Sequence, residues 1–571
     1  MSQRKIKKLK KQVEQMAIVK TEITTKFDGF IAIVKSNWKF LVGLCVGVAV
    51  LYLNSLNGNF VSDDYATITN NPLIGDFGFA MSGSIVSLSN YLIFKIFGFA
   101  GSFPYHLFNL LVYLSVIVLG FVFMYLVTRQ KIITQIATLL FATMPLHVEV
   151  VSWISGKPYL IMALAFLISI ILFISYIKTD DKKYIFPLLA SIALNLFVDK
   201  IRFFSFVFVA IIYAITYDWK RKYKIGWAKF LLVGLVFITI IGFWAWPAIM
   251  VRITAVNSGI NASGGLFYNP FFQYPTSIAK YLQLMWFPID LTLYHTMYIF
   301  PNWLNWALIL LYIVMVGYFY FKNKNYFFIL IFIFAAAAPS MAPVKVSWLV
   351  AERYLFLGSM GFCLFLGYII YDLSKYFKLI SSVLFVLILI LSVIRTYLRN
   401  QDWQTNHNLW VNTCQVSPNS HNAWNNIGDD YDKLKDYQNA IKGFTQSTIV
   451  KPNYADAYHN RANIFYKIGR LDLARESYNT ALTFNPSLYQ TYMSLIQIDL
   501  NERNGEQAMI HSSKLLEANP NDPQSRYVIG VVLAQFGQVD KAKEMFKSIL
   551  VNYPNYTQAR RALLELDAGR S

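Results

Sequence analysis

Apolar stretches near the length of a membrane span fill most of the first 400 residues, and no other feature constrains the fold as much. They lie at 40–56, 105–128, 132–145, 158–177, 184–198, 202–217, 228–250, 303–321, 326–343, 354–372 and 378–397. About 20 helical residues cross the hydrocarbon, so several of these are short for a span. Composition agrees: 56% of the 571 residues are hydrophobic and 14% are charged, against about 25% charged in a soluble protein. That excludes a soluble enzyme and a disordered chain, and predicts an all-α polytopic membrane domain. Cys45, Cys363 and Cys414 are far apart, which leaves no disulfide framework, zinc spacing or thiol-redox pair. The net charge of +20 reports topology in such a chain, and no nucleic-acid partner is read from it.

The charge distribution sets the orientation. Residues 1–39 carry ten Lys/Arg and three acids, including Arg4-Lys5-Ile6-Lys7-Lys8, and are predicted to be a cytoplasmic segment. It reads equally as a helix on anionic headgroups or as a solvated tail. With the N-terminus inside, the inner loops hold Arg129 and Lys131; Lys178, Lys182 and Lys183; Lys220, Arg221, Lys222 and Lys224; and then Lys322, Lys324, Lys375 and Lys378. They all stay inside only if 275–289 does not span. The expectation is therefore about eleven spans within 40–398, with 275–289 interfacial or re-entrant and everything after 398 extracytoplasmic.

From residue 399 the aliphatic runs stop, and prolines recur at 418, 452, 486, 520 and 554, always 34 residues apart. This is the tetratricopeptide period. The expected repeats are 421–454, 455–488, 489–522 and 523–556, followed by a C-terminal helix within 557–571. The first reads Trp424, Ile427, Gly428, Tyr431, Ala440, Phe444, Pro452; the third is degenerate, with Asp499 and Ser512 where aromatics are expected. An α-solenoid over 399–571 follows.

On this topology most remaining polar residues gather on the outer side: Asp63 and Asp64, His106, His147 with Glu149 and Lys157, Asp199 with Lys200 and Arg202, Arg252, Asp290 and His295, Lys345, and Glu352 with Arg353. Charges at span ends face a cavity or pair with one another, because facing lipid is costly. Adjacent carboxylates raise each other's pKa, and one of them can take a proton from a hydroxyl nucleophile. Lys200, Arg202 and Arg353 are groups that hold a phosphate leaving group. Together they suggest transfer from a lipid-linked phosphate to an alcohol. Other readings stay open: Asp63-Asp64 as a helix cap or solvated pair, His147-Glu149 as a structural hydrogen bond, and Glu352-Arg353 as a buried ion pair. A divalent cation, Mg or Mn, could be shared by acids and phosphate, yet no metal-ligand set stands out.

Phe60-Val61-Ser62-Asp63-Asp64 with Asn70-Asn71-Pro72, His106-Leu107-Phe108-Asn109, Pro145-Leu146-His147-Val148-Glu149-Val150-Val151 and Ala351-Glu352-Arg353-Tyr354-Leu355 carry a resemblance. With the repeats, the chain resembles the transmembrane-and-tetratricopeptide (TMTC) O-mannosyltransferases of the GT-C glycosyltransferase class. The resemblance implies Asp63 or Asp64 as catalytic carboxylate, a polyprenyl-phosphate sugar (mannose) as donor, and Ser or Thr of a protein as acceptor. The chain departs from the family at Asp199-Lys200, where Lys-Glu is expected, and at Lys157, where Arg is expected. Its short repeat array and Ile/Lys/Asn/Phe-rich composition look bacterial, which places it in an inner membrane, or in the ER membrane if eukaryotic.

The mechanism expected is one inverting displacement, with Asp63 as base, Asp64 as its alternate, and the prenyl chain between spans near 275–289. His106, His147, Glu149, Asp199 and Glu352 would support the site. Asn425, Asn426, Asp429, Asn460 and Asn463 on the concave repeat face would bind acceptor peptide, since amides pair both backbone donors and acceptors. Asn426 and Asn460, one repeat apart, resemble the asparagine ladder of O-GlcNAc transferase; ordinary solvated Asn is the other reading. Competing functions are a membrane-anchored scaffold for envelope assembly, which needs no outer-face charges, and a polysaccharide polymerase or ligase, which uses a large late outer loop. Here 251–274 carries a single charge, Arg252.

Overall fold

A computed structural model describes residues 29–82, 85–98, 101–179, 181–199, 202–217, 246–247, 250, 270–298, 300–337 and 349–568. Among them every regular element is a helix. Lys200, Arg252, Lys345, the basic 1–28 segment and most of 228–250 lie outside the described residues. The chain forms two compact units. One holds the described residues up to Leu293 together with Tyr298–Thr405; the other holds Tyr294–Met297 and the residues from Asn406 on.

In the first unit, α1 (Phe30–Leu51) is followed by the loop bearing Asp63 and Asp64, then by α2 (Phe77–Ser82), α3 (Ile85–Phe97) and α4 (Phe103–Thr128). Among the described residues five helices are long and apolar enough to cross a membrane: Phe30–Leu51, Phe103–Thr128, Ile154–Thr179, Asn302–Lys322 and Lys378–Asp402. Lys131–Ala142 and Pro145–Ser152 make a sixth if they count as one span bent by 51°. The first begins at Phe30, ten residues before the expected position. Phe203–Tyr217, Lys324–Ala337 and Ser359–Ser374 are shorter apolar helices of 15, 14 and 16 described residues. The 275–289 segment lies mostly in a 17-residue helix, Pro270–Trp286, with Pro275 inside it.

Close helix packing rests on small residues. A Cβ at Gly367 would meet Ile133 O at 3.1 Å and one at Gly120 would meet Met360 at 3.1 Å, so Ser359–Ser374 lies tight against both Lys131–Ala142 and Phe103–Thr128. Tyr113, Phe121, Phe123, Phe141 and Leu167 are fully buried there.

The second unit is a stack of helix pairs at the predicted period: His421–Lys433 with Tyr437–Val450, Ala455–Lys467 with Leu471–Phe484, Tyr489–Asn501 with Gly505–Ala518, Pro523–Gln535 with Val539–Asn552, then Thr557–Asp567. Ser420, Asp436, Asn504 and Asp522 cap helix starts, each side chain accepting from an N–H three residues on. Between the helices of a pair, a small residue receives an aromatic ring: Gly428 against Phe444 and Gly530 against Phe546. Ala462 and Tyr478 hold these positions in the second repeat, both buried. The third repeat exchanges the sizes, with Ile496 at the small position and Ser512 at the aromatic one, both buried. Its Asp499 is fully buried and binds Arg475 (2.6 Å) and His511 (2.6 Å). An ion network thus replaces ring packing where the sequence motif fades.

A Cβ at Gly530 would lie 2.5 Å from the Phe546 ring. Gly530→Ala is expected to destabilise the 523–552 pair by about 1–3 kcal/mol, read as lost amide hydrogen-exchange protection there with residues 103–179 unchanged.

Candidate active site

The loop after α1 is shaped by its own backbone. Ser62 takes φ +53°, a left-handed conformation that non-glycine residues adopt at a cost and that clusters at functional sites. A wide turn follows over Tyr65–Thr69, closed by Asn70 N–H donating to Tyr65 O at 2.7 Å. Across this twist the two adjacent carboxylates part company: Asp63 is exposed and Asp64 is fully buried.

Asp64 is a clamp. Its Oδ2 accepts from Val61 N–H (3.0 Å), and its Oδ1 accepts from the N–H (2.8 Å) and hydroxyl (2.5 Å) of Ser155. Ser155 stands in a tight turn, Ile154–Gly156, that only glycine closes, since a Cβ at Gly156 would meet Val150 O at 2.7 Å. Asn109 Nδ2 holds this turn from α4, donating to Trp153 O at 3.0 Å. Burial pushes the Asp64 carboxyl up to about 6, against the hydrogen bonds from Ser155 and Val61, which lower it.

Asp63 makes no side-chain hydrogen bond among the described residues; its backbone O accepts from Thr67. Although its surface is open, the protein wall around it raises its pKa above the ordinary carboxylate range, and Arg353 pulls it back. That places Asp63 in the field of a guanidinium contributed from the other end of the membrane half.

Arg353 is held by Glu149. The fully buried Glu149 accepts from the Arg353 guanidinium through Oε1 and from Arg353 N–H (2.8 Å) through Oε2. The guanidinium also lies over Trp153 (5.7 Å) and Tyr354 (5.2 Å). Tyr159 connects it to a second cation: Arg202 Nη2 donates to Tyr159 OH (2.7 Å), stacks over that ring (4.2 Å), and pairs with Asp199 (2.7 Å). Behind them Glu352 accepts from Thr292 N–H (2.6 Å) and the buried Arg399 (3.1 Å), which also binds Asp402 (3.0 Å).

Arg202, Asp199, Tyr159, Arg353 and Glu149 therefore form one linked cluster, with Glu352 beside it and Asp63 within the electrostatic influence of Arg353; Lys200 lies outside the described residues. The two histidines sit elsewhere. His106 Nε2 bonds Gly58 O (3.1 Å), tying the first loop to α4. His147 is enclosed between Phe141 (4.4 Å) and Phe356 (4.8 Å) with Nδ1 on Tyr113 OH (2.9 Å) and Nε2 on Ser359 (2.8 Å), so it packs the core. Sequence reasoning missed Ser155 and Tyr159, neutral residues whose only signal is their place around Gly156 and Lys157 at a span start. No group of three or more His, Cys, Asp or Glu able to hold a metal occurs among the described residues. All the acids named here except Asp63 are already taken by cations or N–H donors.

In the repeat unit the predicted amides are largely engaged with their neighbours. Asn460 Nδ2 donates to Asn425 Oδ1 (3.1 Å), Asn463 accepts from Tyr478 OH (2.5 Å), Asn426 donates to Tyr294 OH (3.4 Å), and Asp429 pairs with Lys433 (2.7 Å). Tyr294 also packs on Trp410 at 5.7 Å.

Tetratricopeptide repeat family models match residues 421–454, 455–488 and 524–556. The curated relatives are protein O-mannosyl-transferases of the TMTC family. Human TMTC3 is 26% identical over 216 residues, 38% of this chain and 22% of that protein. F38B6.6 of Caenorhabditis elegans is 25% identical over 452 residues, 71% of this chain and 62% of its own length. Drosophila melanogaster Tmtc2 is 31% identical over 118 residues, 20% and 12%. The chain thus spans about a fifth of TMTC3 and under two thirds of F38B6.6. Similar solved structures include the tetratricopeptide protein YrrB (16% identity, TM-score 0.25, 28% of this chain and 83% of that one) and one from Parabacteroides merdae (17%, 0.27, 36% and 73%).

Two outcomes follow from the buried carboxylates. A carboxyl whose folded pKa is raised holds its proton more tightly when folded, so its stabilising contribution is full below about pH 4 and is lost as pH rises through about 6. Stability is expected to fall across that window by on the order of 3 kcal/mol, and Asp64→Asn is expected to flatten the slope in a pH series of thermal unfolding. Glu149→Gln keeps the shape but strands the Arg353 charge, at an expected cost of about 3–5 kcal/mol in the same assay at neutral pH.

Proposed function

We propose that this protein is a membrane glycosyltransferase of the GT-C type. It moves a sugar, mannose in the first instance, from a polyprenyl phosphate to Ser or Thr hydroxyls of extracytoplasmic proteins. The acceptor hydroxyl oxygen attacks the anomeric carbon while its proton passes to Asp63. The bond from that carbon to the phosphate oxygen breaks, its electron pair leaves on the lipid phosphate, and the configuration inverts. Arg353 and Arg202, with Lys200 beside them in sequence, stabilise the charge that develops on the phosphate. Two guanidiniums supply this positive charge, so the scheme needs no divalent cation.

One observation carries the reading: Asp63 stands unbonded in the field of Arg353, whereas Asp64, Glu149, Asp199 and Glu352 each have a partner. A base must hold a lone pair ready, and a carboxylate fastened by three donors does not. The similarity to protein O-mannosyl-transferases supports the reaction class. Two apolar cavities of about 490 and 610 Å³, both bordered by Met285, Trp286 and Phe287 at the end of Pro270–Trp286, suit a prenyl chain.

The remaining expectations form part of the same proposal. Eleven passes would keep every basic loop cytoplasmic and the repeats extracytoplasmic, in a bacterial inner membrane or, in a eukaryote, the ER membrane. The repeats would present acceptor through Asn425, Asn426, Asp429, Asn460 and Asn463. Because Asn425 and Asn460 bond each other, they would act as one polar strip and not as separate rungs.

The test is sugar addition to a co-expressed acceptor, read by intact mass. Asp63→Asn is expected to lower kcat by about 10²–10⁴-fold, with the expressed amount unchanged. Wild-type transfer by that variant would overturn the assignment.

A further inference from the structure

A cavity of about 410 Å³ opens beside the Asp63–Asp64 loop, between the Tyr65–Thr69 turn, α2, α3 and the Ile154–Gly156 turn. Its volume lies toward the small end of ligand pockets, which run from about 300 to 1,000 Å³. Its lining includes the polar residues Thr67, Asn71, Ser87, Asn90 and Ser155 and the apolar Phe79 and Ile154. Among the described residues no Asp, Glu, Lys or Arg belongs to the lining. Hydroxyls and amides in one cavity with an aromatic ring suit a molecule with hydroxyls on its edge and C–H groups on its face. A phosphate would need cationic donors, and those stand at Arg202 and Arg353.

The cavity is oriented by a charge outside it. Lys157 is fully buried, lies over Tyr105 (5.3 Å) and Phe108 (5.0 Å), and donates to Asn90 Oδ1 at 2.6 Å. An ammonium can only donate, so it fixes which way the Asn90 amide points. Asn90 Nδ2 and the Ser87 hydroxyl make no hydrogen bond among the described residues. Ser155 lines the cavity while its hydroxyl holds Asp64, and Thr67 lines it while donating to Asp63 O (2.9 Å). The turn that carries the base therefore also forms the cavity wall.

We propose that this cavity binds the sugar ring of the lipid-linked donor, with Asn90 Nδ2 and the Ser87 hydroxyl bonding its hydroxyls and Phe79 covering its C–H face. Lys157 is a positioning residue that acts through Asn90. The proposal rests on the glycosyl-transfer reading, and the experiment separates the two.

Initial rates are measured on the detergent-solubilised full chain with polyprenyl-phosphate mannose, an acceptor peptide, and sugar-free polyprenyl phosphate as competitive inhibitor. Asn90→Ala and, more mildly, Ser87→Ala are expected to raise KM for the mannosyl donor by up to about tenfold. The inhibition constant of the sugar-free lipid and KM for the peptide should stay within about twofold of the unsubstituted chain, well inside that tenfold margin. Lys157→Met is expected to reproduce part of the donor effect. An unchanged donor KM in both cavity variants, a parallel shift in the sugar-free inhibition constant, or an effect on the peptide KM instead would overturn the sugar assignment. If Asp63→Asn still abolishes transfer, the reaction stands without this cavity; if Asp63→Asn transfers normally, both readings fall.

Discussion

Charges inside an apolar bundle have to be paired, and the Glu149–Arg353 pair is the one on which the rest of the site depends. Separating either ion from water is costly, and removing one partner strands the other. Glu149 takes both the backbone N–H and the guanidinium of Arg353. This fixes the short helical turn Glu352–Leu355 against Val148–Ser152. Arg353 thereby reaches Asp63 and Tyr159, while Glu352 on its neighbour reaches Arg399. Asn400, next to Arg399, then receives Ser152 Oγ–H and donates to Leu51 O and Asn54 Oδ1, which ties the last span to the first loop. A chain of polar contacts thus joins segments some 350 residues apart.

The charged members of this site were legible in the sequence because ionisable residues are conspicuous in an apolar background. Asp63, Arg202, Arg353, Glu149, Asp199 and Glu352 stand out that way. What the sequence did not reveal is how the roles divide. Asp63 and Asp64 are chemically identical neighbours, and only the left-handed turn at Ser62 and the donors on Ser155 send one outward and one inward. Ser155, Tyr159 and Asn90 are neutral residues in ordinary surroundings, so their importance appears only once distant segments meet. His147 matches the structural hydrogen-bond reading left open for it, as a satisfied core residue between two phenylalanines.

The helical repeats were read from periodicity, which survives local substitutions. The third repeat keeps its fold by moving bulk from position 512 to position 496 and by turning an aromatic site into a buried ion network at Asp499. A motif scored position by position registers two losses there, whereas the packed volume is conserved. Span boundaries were less legible. Hydropathy cannot see the 51° bend after Ala142, or that the first span begins at Phe30. The expected peptide-binding amides were chosen by period and face, which say nothing about partners, and Asn425 and Asn460 spend part of their bonding capacity on each other.

Under the proposed mechanism, the division between Asp63 and Asp64 also answers a difficulty inherent in placing a general base at the edge of a membrane. A carboxylate buried deeply enough to be oriented precisely is stripped of water and held by donors, whereas one free to accept a proton has little to orient it. Splitting the two duties between adjacent residues removes the conflict. Asp64, anchored by Val61 and Ser155, fixes the backbone from which Asp63 projects. The same loop then has guanidiniums within electrostatic reach, at Arg353 and through Tyr159 at Arg202, and an uncharged hydroxyl-lined recess at Thr67 and Ser155. Under the proposed mechanism a charged phosphate and a neutral sugar would thereby be sorted to different places by charge alone, before any finer fit is required.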